Sequence, residues 1–212
     1  MTVNAASPAG PQHPGAAPAG PQDPGAAQAS EPARILLVSG STRAGSTNTA
    51  ALGTLRALAA PPVTAVLYDE MADLPAFNPD DDHDPLPPAV ARLRQQITAA
   101  DAIVFCTPEY AGGLPGSFKN LLDWLVGGTE ISAKPTAWIN VAAPGRGGGA
   151  HDTLAIVLGY VTADVITAAC RRLPLARQAV GPHGEVTDPV FRQGVADVLA
   201  AITAYVVARP AD

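Results

Sequence analysis

Positive charge is scarce in this chain. Lysine and arginine number 13 of 212 residues against 19 aspartates and glutamates, a formal net charge of −6, and no basic stripe gathers along it. A nucleic-acid partner requires clustered cations, so none is expected. Cysteine is equally sparse. Cys106 and Cys170 stand alone with no Cys-x-x-Cys spacing, which excludes a disulfide scaffold and a thiolate zinc site and suits a reducing compartment. Gly, Pro or charge interrupts every apolar run before the roughly 18–20 residues that span a bilayer, so no membrane partner is expected. A Gly-x-Ser-x-Gly elbow is missing, which removes support for serine hydrolase chemistry. The N-terminus has neither a basic start nor a leucine-rich stretch, and the first arginine is Arg34; a cytoplasmic location is expected.

Large apolar residues are absent from residues 3–31, where no apolar residue exceeds Val in size and the near-repeat AGPQHPGAA (9–17) recurs as AGPQDPGAA (19–27). Such a segment buries too little surface to offset its ordering entropy, so residues 1–32 are expected to be a disordered tail, with one domain over 33–212.

The remaining chain alternates short apolar runs with helical patterns. Strands are predicted at 34–39, 63–68, 101–106, 136–142 and 165–169, and helices near 46–59, 88–99, 116–126, 150–161 and 189–207. Residues 69–88, rich in Asp and Pro, read as a solvated surface loop. Short buried strands with helical crossovers imply an α/β fold: a doubly wound five-stranded parallel sheet in a three-layer α/β/α arrangement. Ligands of such sheets sit at the carboxyl ends of the strands, where the order reverses.

The loops at that edge carry the unusual residues. After the first strand, SGSTRAGSTN offers the hydroxyls of Ser41, Thr42, Ser46 and Thr47, the fork of Arg43, and Asn48 at a helix start. This chemistry suits a phosphate. Gly40 and Gly45 have Walker A spacing, but Ser46 stands where that motif needs Lys, and Gly-x-Gly-x-x-Gly is also absent; a monophosphate fits better. After the third strand come Pro108, Glu109, Tyr110, Ala111, Gly112 and Gly113, a loop able to approach a flat ligand. Glu109 alone reads as a solvated carboxylate, and Lys119, Asp123 and Trp124 as helix surface or interface residues. After the fourth strand, Gly145, Arg146, Gly147, Gly148 and Gly149 precede His151. They match Gly-x-Gly-x-x-Ala formally but sit on the wrong strand for a dinucleotide fingerprint. His151 is expected to cap or pack near the helix start. Arg146 is left open between a cofactor-phosphate contact and a solvated cation. The run Asp80–Asp84 is read as solvated rather than metal-binding, and Cys106 as core.

Taken together, Gly-Ser-x-Arg-x-x-Ser-x-Asn at 40–48, Pro-Glu-Tyr at 108–110 and Pro-Gly-Ser-Phe-Lys-Asn at 115–120 resemble the NADPH-dependent FMN reductase family, over roughly residues 33–207. The resemblance implies a flavodoxin-like fold and bound FMN. It implies hydride passed from NADPH or NADH to a small electron acceptor, whether flavin, quinone, azo compound or metal oxyanion. By position, Ser41, Arg43, Ser46, Thr47 and Asn48 would hold the FMN phosphate. Pro108, Glu109, Tyr110, Ala111 and Gly112 would line the ring, and the backbone of Gly145, Gly147 and Gly148 would meet its pyrimidine edge. The family commonly has Asn where this chain has Ala111. It also usually forms oligomers, so a homodimer or homotetramer is expected, with the helix at 116–126 and its Trp124 as a candidate interface. A flavodoxin-like electron carrier and a non-catalytic flavin-binding protein are the alternatives.

Overall fold

The computed structural model describes residues 1–2 and 33–209; the disordered tail expected over 1–32 lies outside the described residues apart from Met1 and Thr2. Five strands run parallel in the order β2-β1-β3-β4-β5: β1 (Arg34–Ser39), β2 (Thr64–Tyr68), β3 (Ala102–Cys106), β4 (Pro135–Asn140) and β5 (Asp164–Val165). A sixth, β6 (Arg171–Arg172), also pairs with β4. β5 meets the start of β4 at Pro135 and Thr136, and β6 meets its end at Ile139 and Asn140. The chain therefore runs beside β4 twice in one direction, interrupted by a 3-10 turn at Thr167–Ala169. A single fifth strand over 165–169 was expected. Only Val165 of it stays in the sheet; the chain then turns out through Thr167–Ala169, with Ile166 and Ala169 buried.

Successive side chains of a strand face opposite ways, and both faces are apolar. Ile35, Leu37, Val104, Cys106 and Ile139 pack with helices α1 (Thr47–Leu58) and α5 (Pro189–Ala208). Leu36, Val38, Ile103 and Phe105 pack with α2 (Pro88–Thr98), α3 (Gly116–Asp123) and α4 (Gly148–Tyr160). The result is three layers around a sheet buried on both sides, as the apolar runs required. By length and composition α5 is apolar enough to cross a membrane, with mean hydropathy 1.4. However, Phe191, Val195, Val198 and Ile202, spaced for one helical face, are buried in the core.

Residues 69–88 are not a free loop. Two 3-10 turns, Met71–Asp73 and Pro79–Asp81, stiffen them, and α3 ties them down. Asn120 accepts the Phe77 N–H at 2.7 Å and donates to the Pro75 carbonyl at 2.8 Å. Trp124 Nε1 donates to the same carbonyl at 2.9 Å. Trp124 is fully buried, its ring edge-on to Phe77, so it is a core residue and not the interface residue expected. The solvated reading of the acidic run also fails at Asp82: its carboxylate accepts Arg94 Nη2 at 2.6 Å, and both side chains are largely buried. Among the described residues no cluster of three or more potential metal ligands is found.

Candidate functional site

In the order 2-1-3-4-5, β1 and β3 are neighbours whose connections leave in opposite directions, so a crevice opens beyond their carboxyl ends. The two loops touch at Gly40. Its N–H donates to the Cys106 carbonyl at 2.9 Å, and a β-carbon there would fall on the side chain of Thr107. Only glycine lets the loops approach so closely.

The loop after β1 is braced by its own hydroxyls. Ser39 and Thr49 share a 2.8 Å hydrogen bond, and Ser41 Oγ accepts the Arg43 N–H at 3.3 Å. Ser46 is the N-cap of α1, accepting the Asn48 N–H at 3.2 Å. Asn48 is buried and turns its amide inward. Its Nδ2 reaches Ser46 Oγ at 3.4 Å, and its Oδ1 accepts the Cys106 thiol, also at 3.4 Å. Burial pushes that thiol well above its ordinary pKa, so Cys106 is an inert core group. Arg43 is exposed and reaches back to the Gly45 carbonyl at 3.3 Å.

After β3, Tyr110 and Gly113 exchange two backbone hydrogen bonds of 3.0 Å around Ala111 (φ 50) and Gly112 (φ 77). This is a two-residue turn with both central residues left-handed. Asparagine tolerates that backbone better than alanine. Glu109 is not a solvated carboxylate: its Oε2 accepts the Ala150 N–H at 3.1 Å, inside the first turn of α4. Gly149 permits this contact, since a β-carbon there would fall on the Gly112 carbonyl.

The loop after β4 is held by a clamp. Gly147 (φ 76) is the N-cap of α4, and its carbonyl accepts Asn140 Nδ2 at 3.2 Å and His151 Nδ1 at 2.8 Å. A carbonyl only accepts, so His151 carries its proton on Nδ1. Burial lowers the His151 pKa below its ordinary 6.5, and the imidazole packs beside Trp138. His151 therefore serves the helix start, as expected.

These loops enclose a cleft of about 380 Å³, within the range of small-molecule sites. Of the residues anticipated from sequence, Arg43, Thr47, Asn48, Pro108, Glu109 and Gly147 line it; Ser41, Ser46, Tyr110, Ala111, Gly112, Gly145 and Gly148 do not. Ser46 lines an adjoining groove instead, and Tyr110 stands out at 56% exposure. Thr107, Val141, Ala142, Ala143, Arg146, Leu175 and Arg177 complete the wall. Arg146 is thus drawn to the cleft. Leu175 and Arg177 were missed because the stretch after β6 carries no periodic pattern. Three arginines, Arg43, Arg146 and Arg177, line it beside one carboxylate, Glu109, that already caps a helix. Pro108, Val141, Ala143 and Leu175 supply apolar surface. That donor set, with its apolar wall, fits a flat ring bearing one phosphate.

Comparison with known proteins gives the same direction. A sequence model described as NADPH-dependent FMN reductase matches residues 33–172. The NAD(P)H-dependent FMN reductase of Pseudomonas aeruginosa is 34% identical over 181 residues, covering 84% of this chain and 97% of the relative. The quinone reductase of Escherichia coli K12 is 31% identical over 183 residues, covering 83% and 95%. Among solved structures, the flavoenzyme NAD(P)H:(acceptor) oxidoreductase FerB from Paracoccus denitrificans superimposes with a TM-score of 0.64 at 28% identity, covering 81% of this chain and 98% of that one.

Proposed function

Because this chain belongs to the NADPH-dependent FMN reductase family, we propose that the cleft beyond β1, β3 and β4 is its FMN site. The chain is an FMN-dependent NAD(P)H oxidoreductase with a small-molecule acceptor. Bound FMN would supply the hydride chemistry between nicotinamide and acceptor. The residues supply binding and electrostatics. Arg43 and Thr47 hold the phosphate at the start of α1, where the helix end adds partial positive charge. Ser46 and Asn48 keep that turn in shape from beneath. Pro108, Ala143 and Leu175 shield the ring from water. At the turn of Gly145, Gly147 and Gly148, Gly147 lines the cleft and offers its backbone to the ring edge, where an N–H stabilises negative charge, while Gly145 and Gly148 shape the turn from its margin. Ser41, Tyr110, Ala111 and Gly112 act from the margin of the site. The Glu109 carboxylate is engaged by the Ala150 N–H, and beside the cleft the Nδ1 proton of His151 is engaged by the Gly147 carbonyl.

The observation that carries this reading is the convergence of Arg43, Glu109 and Gly147, from three separate loops, on one cleft. Quinones suit the site as acceptors, being flat and apolar like its wall. The test is anaerobic addition of NADPH or NADH to the purified yellow protein. Loss of the flavin absorbance within minutes is expected, and bound FMN that neither nicotinamide bleaches overturns the reading.

We also infer a homodimer and a cytoplasmic location. Ile156 and Tyr160, one turn apart on α4, are 61% and 86% exposed, a better candidate contact than the buried Trp124. Both cysteines are free thiols, which suits a reducing compartment. Light scattering that gives a clean monomer at micromolar concentration contradicts the dimer.

A further inference from the structure

A second groove, about 420 Å³, adjoins the cleft and shares Arg43 with it. One wall is the phosphate turn and the outer side of α1, including Gly53 and Arg56. The other is a hairpin after β6, residues 180–184, with Leu67 of β2 between them. The hairpin is well formed. Val180 bridges Val186, Gly181 N–H donates to the Glu185 carbonyl at 2.8 Å, and Gly184 takes φ 83 to close the turn. It presents His183 and Pro182 to the groove. The lining holds three basic side chains, Arg43, Arg56 and His183, and no acid. Among the described residues none of the three enters an ion pair. The acid of the same hairpin, Glu185, turns its carboxylate to the His183 backbone N–H at 2.9 Å. On a chain of net charge −6, such a groove is a local attractor for anions.

We propose that this groove is an adenosine-phosphate subsite continuous with the flavin cleft. The claim rests on the FMN reading above. A ligand whose phosphate lies on Arg43 reaches the groove directly, because Arg43 belongs to both cavities. Arg56 and His183 then meet a further phosphate. Leu67, Val180 and Pro182 give the adenine an apolar surface, and Gly53 leaves open space beside α1, where even a β-carbon would touch nothing. Flavin and nicotinamide dinucleotides both carry this group, as the adenylate half of FAD and the adenosine half of NADH or NADPH, the latter with a further 2′-phosphate. The hairpin lies beyond residues 33–172, the span of the family model.

The test uses the full chain, as apoprotein and loaded with FMN, and the variant Arg56→Ala/His183→Ala, in which both altered residues are exposed. FMN and FAD are titrated into apoprotein by fluorescence, and 2′,5′-ADP and 5′-AMP into both forms by calorimetry. FAD binding apoprotein about tenfold or more above FMN assigns the groove to the flavin dinucleotide. Saturable binding of 2′,5′-ADP to the FMN-loaded form assigns it to the nicotinamide dinucleotide. In either case the variant lowers that affinity about tenfold or more, the loss of one or two charge-assisted contacts, and leaves FMN affinity within about twofold. Absence of both gains in the wild type overturns the proposal. So does a variant that keeps them, or one that weakens FMN equally, since the groove then serves only the flavin's own phosphate. If FMN fails to bind at all, the FMN reading falls, and the groove is judged by the adenosine phosphates on apoprotein alone.

Discussion

The Glu109 carboxylate accepts the Ala150 N–H at 3.1 Å, so an acid from the loop after β3 caps the helix that follows β4. Two walls of the cleft are thereby fastened to each other. Glu109→Ala is expected to cost about 1–2 kcal/mol of stability, as loss of a helix cap does, and to weaken FMN binding as the loops part. Glu109→Gln keeps an acceptor and loses only the charge on the helix end, about 0.3–1 kcal/mol. Urea unfolding of the two variants checks the order.

Ala111 sits at φ 50 on an exposed turn. A left-handed backbone costs alanine about 1–2 kcal/mol, partly offset in glycine by its greater unfolded-state entropy. Ala111→Gly is therefore expected to raise stability by up to about 1 kcal/mol, and Ala111→Asn to raise it by less. A lower urea midpoint for Ala111→Gly contradicts the turn geometry.

Trp124 is buried with its indole N–H on the Pro75 carbonyl. Trp124→Ala removes a large core side chain and is expected to cost about 3–5 kcal/mol. Trp124→Phe costs less, leaving the carbonyl to Asn120 alone. Oligomeric state measured by light scattering is expected to be the same for Trp124→Phe as for the wild type, which an interface tryptophan would not allow.

Burial lowers the His151 pKa from 6.5. The unfolded chain therefore takes up a proton near pH 6.5 that the folded protein resists. The His151 contribution is present above that value and falls away as pH drops below it. His151→Asn places an amide N–H near the position of Nδ1 and does not titrate. Its stability is expected to depend less on pH between about 4.5 and 7, read as thermal midpoints across that range.

The sequence made the sheet legible wherever a strand is buried on both faces. Arg34–Ser39 and Ala102–Cys106 are continuous apolar runs, and Ser46 announces the start of α1 as an N-cap. The loops after these strands were legible through their hydroxyls, Arg43 and glycines. Features that depend on distant partners were not. Nothing local distinguishes Asp82, bound by Arg94, from its solvated neighbours, or tells that Asn120 and Trp124 both bind the Pro75 carbonyl. β6 is two exposed arginines, and Leu175 and Arg177 reach the cleft from an aperiodic stretch. Asn48 lines the cleft, but nothing local foretold that its amide would also engage Ser46 and Cys106.

The central claim is that the turn at Arg43 holds the phosphate of FMN, and the most direct measurement is the FMN dissociation constant of apoprotein for wild type and Arg43→Ala. Arg43 is exposed, so the variant is expected to fold with an unchanged thermal midpoint. Loss of one charge-assisted contact, about 1.5–3 kcal/mol, predicts FMN affinity lower by about ten- to a hundredfold. Equal affinity in the two proteins contradicts the assignment of the cleft.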